Sequence, residues 1–126
     1  MNSLYAGIDV SKNSNVAYLM KPDGTKFSEF PVPNDFNGAK LLSERIVSTL
    51  KSLSLSEVVI GMEATSVYGE LLMYSLREDE DLKQFQRSIH VLNPKQVAKF
   101  KQAYPDLPKN DYVDAFVIAD HLRFGR

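Results

Sequence analysis

The stretch "YAGIDVS", residues 5–11, has the pattern of a β-strand that ends on a carboxylate. Apolar residues alternate along this stretch and its flanks, which is the period of a half-buried strand. They fall on one face: Leu4, Ala6, Ile8 and Val10. The other face carries Tyr5, Gly7 and then Asp9. An acid at the end of a strand that enters the middle of a sheet needs an explanation.

The stretch "VVIGMEATS", residues 58–66, repeats this arrangement. Gly61 and Glu63 share one face, as Gly7 and Asp9 do, because side chains two residues apart point to the same side of a strand. A glycine before each acid leaves a hollow in the sheet surface, where something large can sit. If the two strands are neighbours, Asp9 and Glu63 point into the same space.

The composition is that of a globular domain. The chain has 126 residues, of which 44% are hydrophobic and 25% charged, so we expect one domain over residues 1–126. It contains no cysteine, which excludes disulfides and thiolate metal sites. Without a signal pattern or a long apolar run, the sequence predicts a cytoplasmic protein that does not enter a membrane.

Hydrophobic periodicity predicts the element order β β β α β α β α α. The strands are expected at residues 4–10, 15–20, 26–32, 57–63 and 88–93. Helices are expected from Asn34 or Asp35 to about Leu53, and over residues 66–77, 94–104 and 110–123, the last with Asn110 as its cap and Gly125 as its stop. Strands joined by a helix pair in parallel, so we predict an α/β fold: a mixed five-stranded sheet flanked by helices on both faces.

Two more acids stand near the end of the chain in "KNDYVDA", residues 109–115. Asp111 and Asp114 are three residues apart and share one face of the last predicted helix. Each acid alone also has a structural explanation, such as the helix dipole for Asp111. Carboxylates brought together repel unless a cation neutralises them, and oxygen ligands suit Mg²⁺ or Mn²⁺. Two such ions can catalyse phosphodiester cleavage.

Four segments resemble, in the same order, the N-terminal domain of the DEDD transposases of bacterial insertion sequences (the insertion-sequence one-ten family): "GIDVSK", "MEATSVYGELL", "VLNPKQVAKFK" and "KNDYVDA". The resemblance implies a ribonuclease H-like (RuvC-like) fold, two Mg²⁺ or Mn²⁺ ions, and DNA cleavage and transfer during transposition. It implies catalytic and metal-binding roles for Asp9, Glu63, Asp111 and Asp114. Asn110 departs from the family, which more often has threonine there, and Tyr112 stands where a basic residue is common.

The resemblance also implies partners and a missing part. The expected partners are DNA, as insertion-sequence ends and target, an element-encoded structured RNA and, in the full-length protein, further copies of the chain. Family members carry a nucleophilic serine in a C-terminal domain that residues 1–126 lack. The sequence therefore has the pattern of an excised or truncated transposase that holds the metal site without the serine.

Nucleic-acid contacts are expected at six positions: Lys12, Thr65, Ser66, Lys95, Lys99 and Lys109. The formal net charge is −1, which argues against a generic nucleic-acid binder. Basic residues nevertheless outnumber acids between Lys83 and Lys109. Each position also has a simpler reading, since lysines solvate helix faces and Thr65 or Ser66 can cap a helix.

Other functions remain open on the sequence alone. A self-sufficient junction-resolvase-like nuclease would use the same acids without a second domain. A lobe of an actin-like or sugar-kinase-like ATPase also begins with a strand and an acid, but the glycine-rich phosphate loops of such proteins are missing here. A non-catalytic RNA-binding module is the third alternative. His90 and His121 have the pattern of structural histidines, with His121 a remote site candidate.

Overall fold

The computed structural model describes residues 2–63, 66–108, 110 and 112–125, and only the backbone of Ser66. Within these ranges five strands run over Ser3–Val10 (β1), Ser14–Met20 (β2), Lys26–Pro33 (β3), Glu57–Glu63 (β4) and Gln86–Leu92 (β5). In the same ranges α-helices cover Phe36–Ser52 (α1), Glu70–Glu78 (α2), Pro94–Lys101 (α3) and Val113–Arg123 (α4). Short 3-10 turns precede α2 and β5, at Ser66–Gly69 and Leu82–Gln84. No helix of this described part is long and apolar enough to cross a membrane.

The strands form one mixed sheet in the order β3-β2-β1-β4-β5, which places β1 at its centre. β1 and β2, like β2 and β3, pair antiparallel, whereas β4 is parallel to both β1 and β5. Helix α1 connects β3 to β4, and α2 connects β4 to β5, as crossovers between parallel strands require. The predicted α/β architecture is confirmed.

One face of the sheet packs against α1 and α2 and forms the larger core. The alternating apolar residues of β1 lie in this core, as the sequence predicts. They meet leucine and isoleucine side chains at helical spacing: Leu42, Ile46 and Leu50 of α1, and Leu72 and Leu76 of α2. All five are inaccessible to solvent, so each contributes about 1.5–3 kcal/mol relative to an exposed side chain.

The opposite face packs against α4, with α3 beside it, and has small residues where α4 comes closest to β1. A Cβ atom on Gly7 would lie 2.7 Å from the backbone nitrogen of Ala119 and closer still to the carbonyl oxygen of Ala115. Gly61 of β4 likewise lies against side chains of α4. The hollow predicted before the two acids therefore exists, and a helix fills it.

The starts of two helices differ in detail from the sequence prediction. Asp35 is the N-cap of α1, since its carboxylate accepts a hydrogen bond from the Gly38 N–H at 2.7 Å. Of the two residues at which the sequence allows this helix to start, Asn34 and Asp35, the structure therefore has Asp35 as the cap. The predicted helix at residue 66 begins with the 3-10 turn, and regular α-helix starts only at Glu70.

Helix α4 begins at Val113, three residues later than predicted. The side chain of Asn110 accepts a hydrogen bond from the backbone N–H of Tyr112 at 2.8 Å, which forms a turn ahead of the helix. Asn110 is therefore a turn residue and not the cap of α4. Gly125, with a φ of 77°, follows the end of the helix as predicted.

Candidate metal centre

Asp9 and Glu63 lie side by side at the carboxyl ends of the two central parallel strands. The register pairs Gly7 with Gly61 and Asp9 with Glu63, so the two Gly-x-acid segments are aligned residue by residue. Both carboxylates lie on the face that α4 covers, because they share it with the glycines. The two acids are thus fixed relative to each other by the hydrogen bonds of the sheet.

Asp114 reaches the same place from α4. It lies in the first turn of the helix, where the positive end of the helix dipole favours an anion. The next residue, Ala115, lies against Gly7, so the glycine sets the distance at which α4 docks. One carboxylate oxygen from each of Asp9, Glu63 and Asp114 lies within 4.8 Å of the others. We call these three residues the acidic cluster.

An open cavity of about 720 Å³ extends from the acidic cluster, with Asp9 and Asp114 in its wall. The β1–β2 turn and the segment before α4 supply much of the rest: Ser11, Ser14, Leu107, Pro108, Asn110 and Tyr112. The volume lies in the range of ligand-binding clefts in proteins. A charged substrate can therefore approach the half-buried carboxylates from solvent.

Burial and mutual repulsion raise the proton affinity of the acidic cluster. Burial, followed by the negative charges of Asp9 and Asp114, raises the pKa of Glu63 to about 7. Burial and the charge of Asp114 also raise the pKa of Asp9. A hydrogen bond between the two carboxyl groups acts in opposite directions, raising the pKa of Glu63 and lowering that of Asp9. The pair therefore holds a proton more readily than two isolated carboxyl groups do.

Lys101, the last residue of α3, brings a positive charge to the acidic cluster. Its Nζ lies 3.0 Å from Oδ1 of Asp114. Its positive charge lowers the pKa of Asp9 and Glu63 and so offsets part of the rise that burial and repulsion cause. The sequence analysis did not select Lys101 as a site residue, although a signal exists. Lys101 follows the buried Val97 by four residues, and that spacing turns it towards the same side of the helix.

The other predicted site residues are not brought to the acidic cluster by the described structure. Three of them lie outside the described residues: Thr65, Lys109 and Asp111. Three are exposed lysines, on the β1–β2 turn and on α3: Lys12, Lys95 and Lys99. Ser66 begins the 3-10 turn after β4. Their roles in binding nucleic acid stay predictions.

The two histidines contact neighbouring side chains away from the carboxylates. The ring of His121 stacks on Phe100, with centroids 3.4 Å apart, which joins α4 to α3. His90 on β5 has its Nε2 3.3 Å from Oγ of Ser88. Among the described residues, the group of acids and histidines that can share an ion consists of Asp9, Glu63 and Asp114.

Solved structures of the junction resolvase RuvC have the same fold. The structure of RuvC from Thermus thermophilus matches with a TM-score of 0.62 at 11% sequence identity, over 99% of this chain and 95% of that chain. T. thermophilus RuvC in complex with a Holliday junction substrate matches with a TM-score of 0.55 at 13% identity, over 99% and 94% of the two chains. Identities this low establish the fold alone, and they confirm the predicted RuvC-like, ribonuclease H-like architecture.

Sequence comparison identifies the family. No curated protein matches this chain. The family model of the DEDD transposases of the IS110 group, described as a transposase, matches residues 6–126. This match favours a domain of a DNA transposase over a self-sufficient resolvase or a lobe of a sugar-kinase-like ATPase. Because the match spans nearly the whole sequence and includes every acid of the site, the chain belongs to the IS110 family of DEDD transposases.

Proposed function

We propose that this domain cleaves DNA strands during transposition with divalent ions held by the acidic cluster. The observation that carries the proposal is the meeting of three carboxylates, from β1, β4 and α4, within 4.8 Å of one another. Family membership assigns the chain to transposition. A RuvC of the same fold was solved with a Holliday junction substrate, which supports branched or paired DNA as the ligand.

The residues present fit Mg²⁺ or Mn²⁺. Asp9, Glu63 and Asp114 offer only carboxylate oxygens, the ligands that these hard cations prefer. Burial, followed by the negative charges of Asp9 and Asp114, raises the pKa of Glu63, and the ammonium of Lys101 already lies against Asp114 as a cation does. Asp111 is proposed as a fourth ligand on the resemblance alone, and a fourth carboxylate favours two ions over one.

Bound ions would polarise the phosphodiester and stabilise charge on the attacking and leaving oxygens. The protein contributes placement: Asp9 and Glu63 are fixed on central strands, which hold ligands more precisely than loops do. Glu63 must release its proton when an ion binds, because a carboxylate ligates in its charged form. Exposed lysines at positions 12, 95 and 99 would neutralise DNA phosphates on either side of the site.

The proposed activity is divided between two parts of the family enzyme. We infer that residues 1–126 form one metal-binding domain and that the attacking serine belongs to the second domain that the resemblance implies. The structured RNA and further copies of the chain are then partners of the whole enzyme. The isolated domain should bind nucleic acid weakly and in a salt-sensitive way, since its net charge is −1.

Calorimetric titration with Mn²⁺ tests the metal site directly. We expect binding by the parent domain and a loss of affinity of roughly 100-fold or more in Asp9→Asn, since even outer partners of a metal ligand contribute about 10–100-fold. Asp106→Asn is the matched control, because it removes the same charge from an exposed loop residue. Equal affinities in the parent and both variants would show that the site is wrongly placed.

Cleavage is tested by incubating the domain with Mn²⁺ and either supercoiled plasmid or a four-way DNA junction. The division of activity predicts at most a trace of nicking, which Asp9→Asn abolishes. Robust junction cleavage by the isolated domain, absent from Asp9→Asn, would contradict that division. It would identify a self-sufficient resolvase instead.

A further inference from the structure

One side-chain amide connects the segments that follow the two acid-bearing strands. Asn34 lies between β3 and α1, and its Nδ2 donates hydrogen bonds to two backbone carbonyl oxygens, that of Ser11 at 2.7 Å and that of Tyr68 at 3.0 Å. Ser11 follows Asp9 by two residues, at the end of β1. Tyr68 lies in the 3-10 turn that follows Glu63 and the end of β4.

The local structure leaves the Asn34 side chain available for this contact. Asp35 caps α1, so the amide of Asn34 is not needed for the helix start. The backbone N–H of Asn34 donates to the carbonyl oxygen of Asn13 at 3.0 Å, which fixes the residue against the β1–β2 turn. A primary amide has two N–H donors, and the two carbonyl contacts use both of them.

The position of the amide matters because, among the described residues, the ladder between β1 and β4 ends at the acids. Asp9 and Glu63 form the last pair of the parallel register. The terminal pair of a ladder has paired backbone on one side only, so the ends of elements open more readily than their centres. In the part of the chain that the structure describes, the amide of Asn34 connects the two chain segments again beyond this pair.

We propose that Asn34 is a positioning residue for the metal centre. Its amide holds the ends of β1 and β4 at the separation at which Asp9 and Glu63 bind the same ion. This inference rests on the proposed function for its chemical meaning. We call the two hydrogen bonds from the Asn34 amide the clamp. They are present in the protein without metal, so their effect can be measured without metal.

The first test compares Asn34→Asp with Asn37→Asp. Asn34→Asp keeps the side-chain shape but replaces both donors with acceptors that face two carbonyl oxygens. Asn37→Asp adds the same charge at an exposed position in the first turn of α1. Calorimetry with Mn²⁺ should show affinity weakened about 10–100-fold in Asn34→Asp, the effect typical of a lost partner of a metal ligand. The control should bind as the parent does.

The sign of this effect excludes a simple charge effect. An added carboxylate strengthens cation binding, so weaker binding in Asn34→Asp must come from lost placement of the ligands. Asn34→Ala, which removes both donors without adding charge, should weaken Mn²⁺ binding in the same direction. It also serves as the test variant if Asn34→Asp does not fold. Affinity unchanged in a folded Asn34 variant would overturn the proposal.

Hydrogen exchange of the metal-free proteins separates the clamp from the proposed function. Backbone amides of residues 9–14 and 61–63 should exchange about 10-fold faster in the Asn34 variants, whereas exchange in the core strands should not change. Asn37→Asp should match the parent throughout. If the parent binds no Mn²⁺, the proposed function fails and the exchange result still decides on the clamp. Equal exchange in all proteins would overturn it.

Discussion

The two faces of the same sheet have different roles. The face towards α1 and α2 is a layer of large apolar side chains, buried almost completely. The face towards α3 and α4 combines glycine and alanine with tyrosine and the acidic cluster. A single strand contributes to both: Ile8 lies in the larger core, while its neighbours Gly7 and Asp9 face α4.

With two such faces, a small domain can keep charged groups close to its core. On the first face, stability grows with the apolar area that is buried. On the second face, the distance between α4 and the sheet matters more than the apolar volume buried between them. The helix must come close enough for Asp114 to meet Asp9 and Glu63. We therefore expect mutations on the two faces to separate stability from ion binding.

The largest expected effect comes from Ile8→Ala and Gly7→Ala, which change adjacent residues on opposite faces. Ile8→Ala removes a fully buried side chain and should lower the free energy of unfolding by about 2–5 kcal/mol. The folded variant should still bind Mn²⁺ as the parent does. Gly7→Ala should cost about 1–3 kcal/mol through overpacking, and it should also weaken Mn²⁺ binding because it displaces α4.

Urea unfolding and Mn²⁺ calorimetry on the same samples measure both quantities. Gly61→Ala is the matched control, since the three atoms nearest to its new methyl group would be side-chain carbons of Ile118 and Leu122. Those side chains can rotate, so the loss should be smaller than in Gly7→Ala. Full Mn²⁺ affinity in Gly7→Ala would show that the close approach of α4 is not needed for the site.

An effect of intermediate size is expected from the titration of Glu63, which should make the stability of the domain depend on pH. Its pKa in the folded domain is about 7, against an ordinary value of 4.5. Between these values the folded state binds a proton that the unfolded state has lost. The metal-free domain should therefore become more stable as the pH falls through about 7, with no further gain from this group below about 4.5.

Metal binding should follow the opposite trend, because the ion displaces the proton from Glu63. Mn²⁺ affinity should rise as the pH increases through about 7, and Glu63→Gln should remove this rise together with the corresponding stability slope. Unfolding and calorimetry across this range measure the two profiles. A Glu63→Gln variant with the parent's stability profile would assign the titration to another group.

The smallest expected effect belongs to Lys101→Met. The ion pair with Asp114 is partly exposed, so its loss should change the free energy of unfolding by less than about 1 kcal/mol. Without nucleic acid, Mn²⁺ affinity should increase, because no ammonium competes for Asp114. Lys99→Met, on the same helix but exposed, should leave it unchanged. A decrease in Lys101→Met would mean that the lysine orients Asp114 for the ion.

Much of the fold could be predicted because its patterns are local and repeated. The alternation from Leu4 to Val10 assigns one face of β1 to the core, and the spacing of apolar residues in α1 predicts the helix that covers it. The start of α4 was predicted too early, since Asn110 suits both a helix cap and the turn that it forms. Local propensity does not distinguish these two uses of the same side chain.

The meeting of Asp9 and Glu63 was also predictable, because equal Gly-x-acid endings on neighbouring parallel strands face the same side when they are in register. The residues that surround these acids, Asn34 and Lys101, could not be predicted as part of the site. Asn34 was considered only as a helix cap, whereas its partners are 23 and 34 residues away in sequence. Lys101 meets Asp114 only after α3 and α4 have packed together. Such contacts depend on tertiary structure, which no short window of sequence contains.

The docking of α4 on Gly7 also has a consequence for the timing of activity during synthesis. β1 and β4 leave the ribosome before α4, so Asp9 and Glu63 can pair while that helix is still being made. Asp114 arrives only with the last described helix. Because chains fold from the N-terminus as they emerge, a nascent sheet would carry an incomplete ligand set. On the proposed function, such a partly synthesised chain would lack a complete metal site.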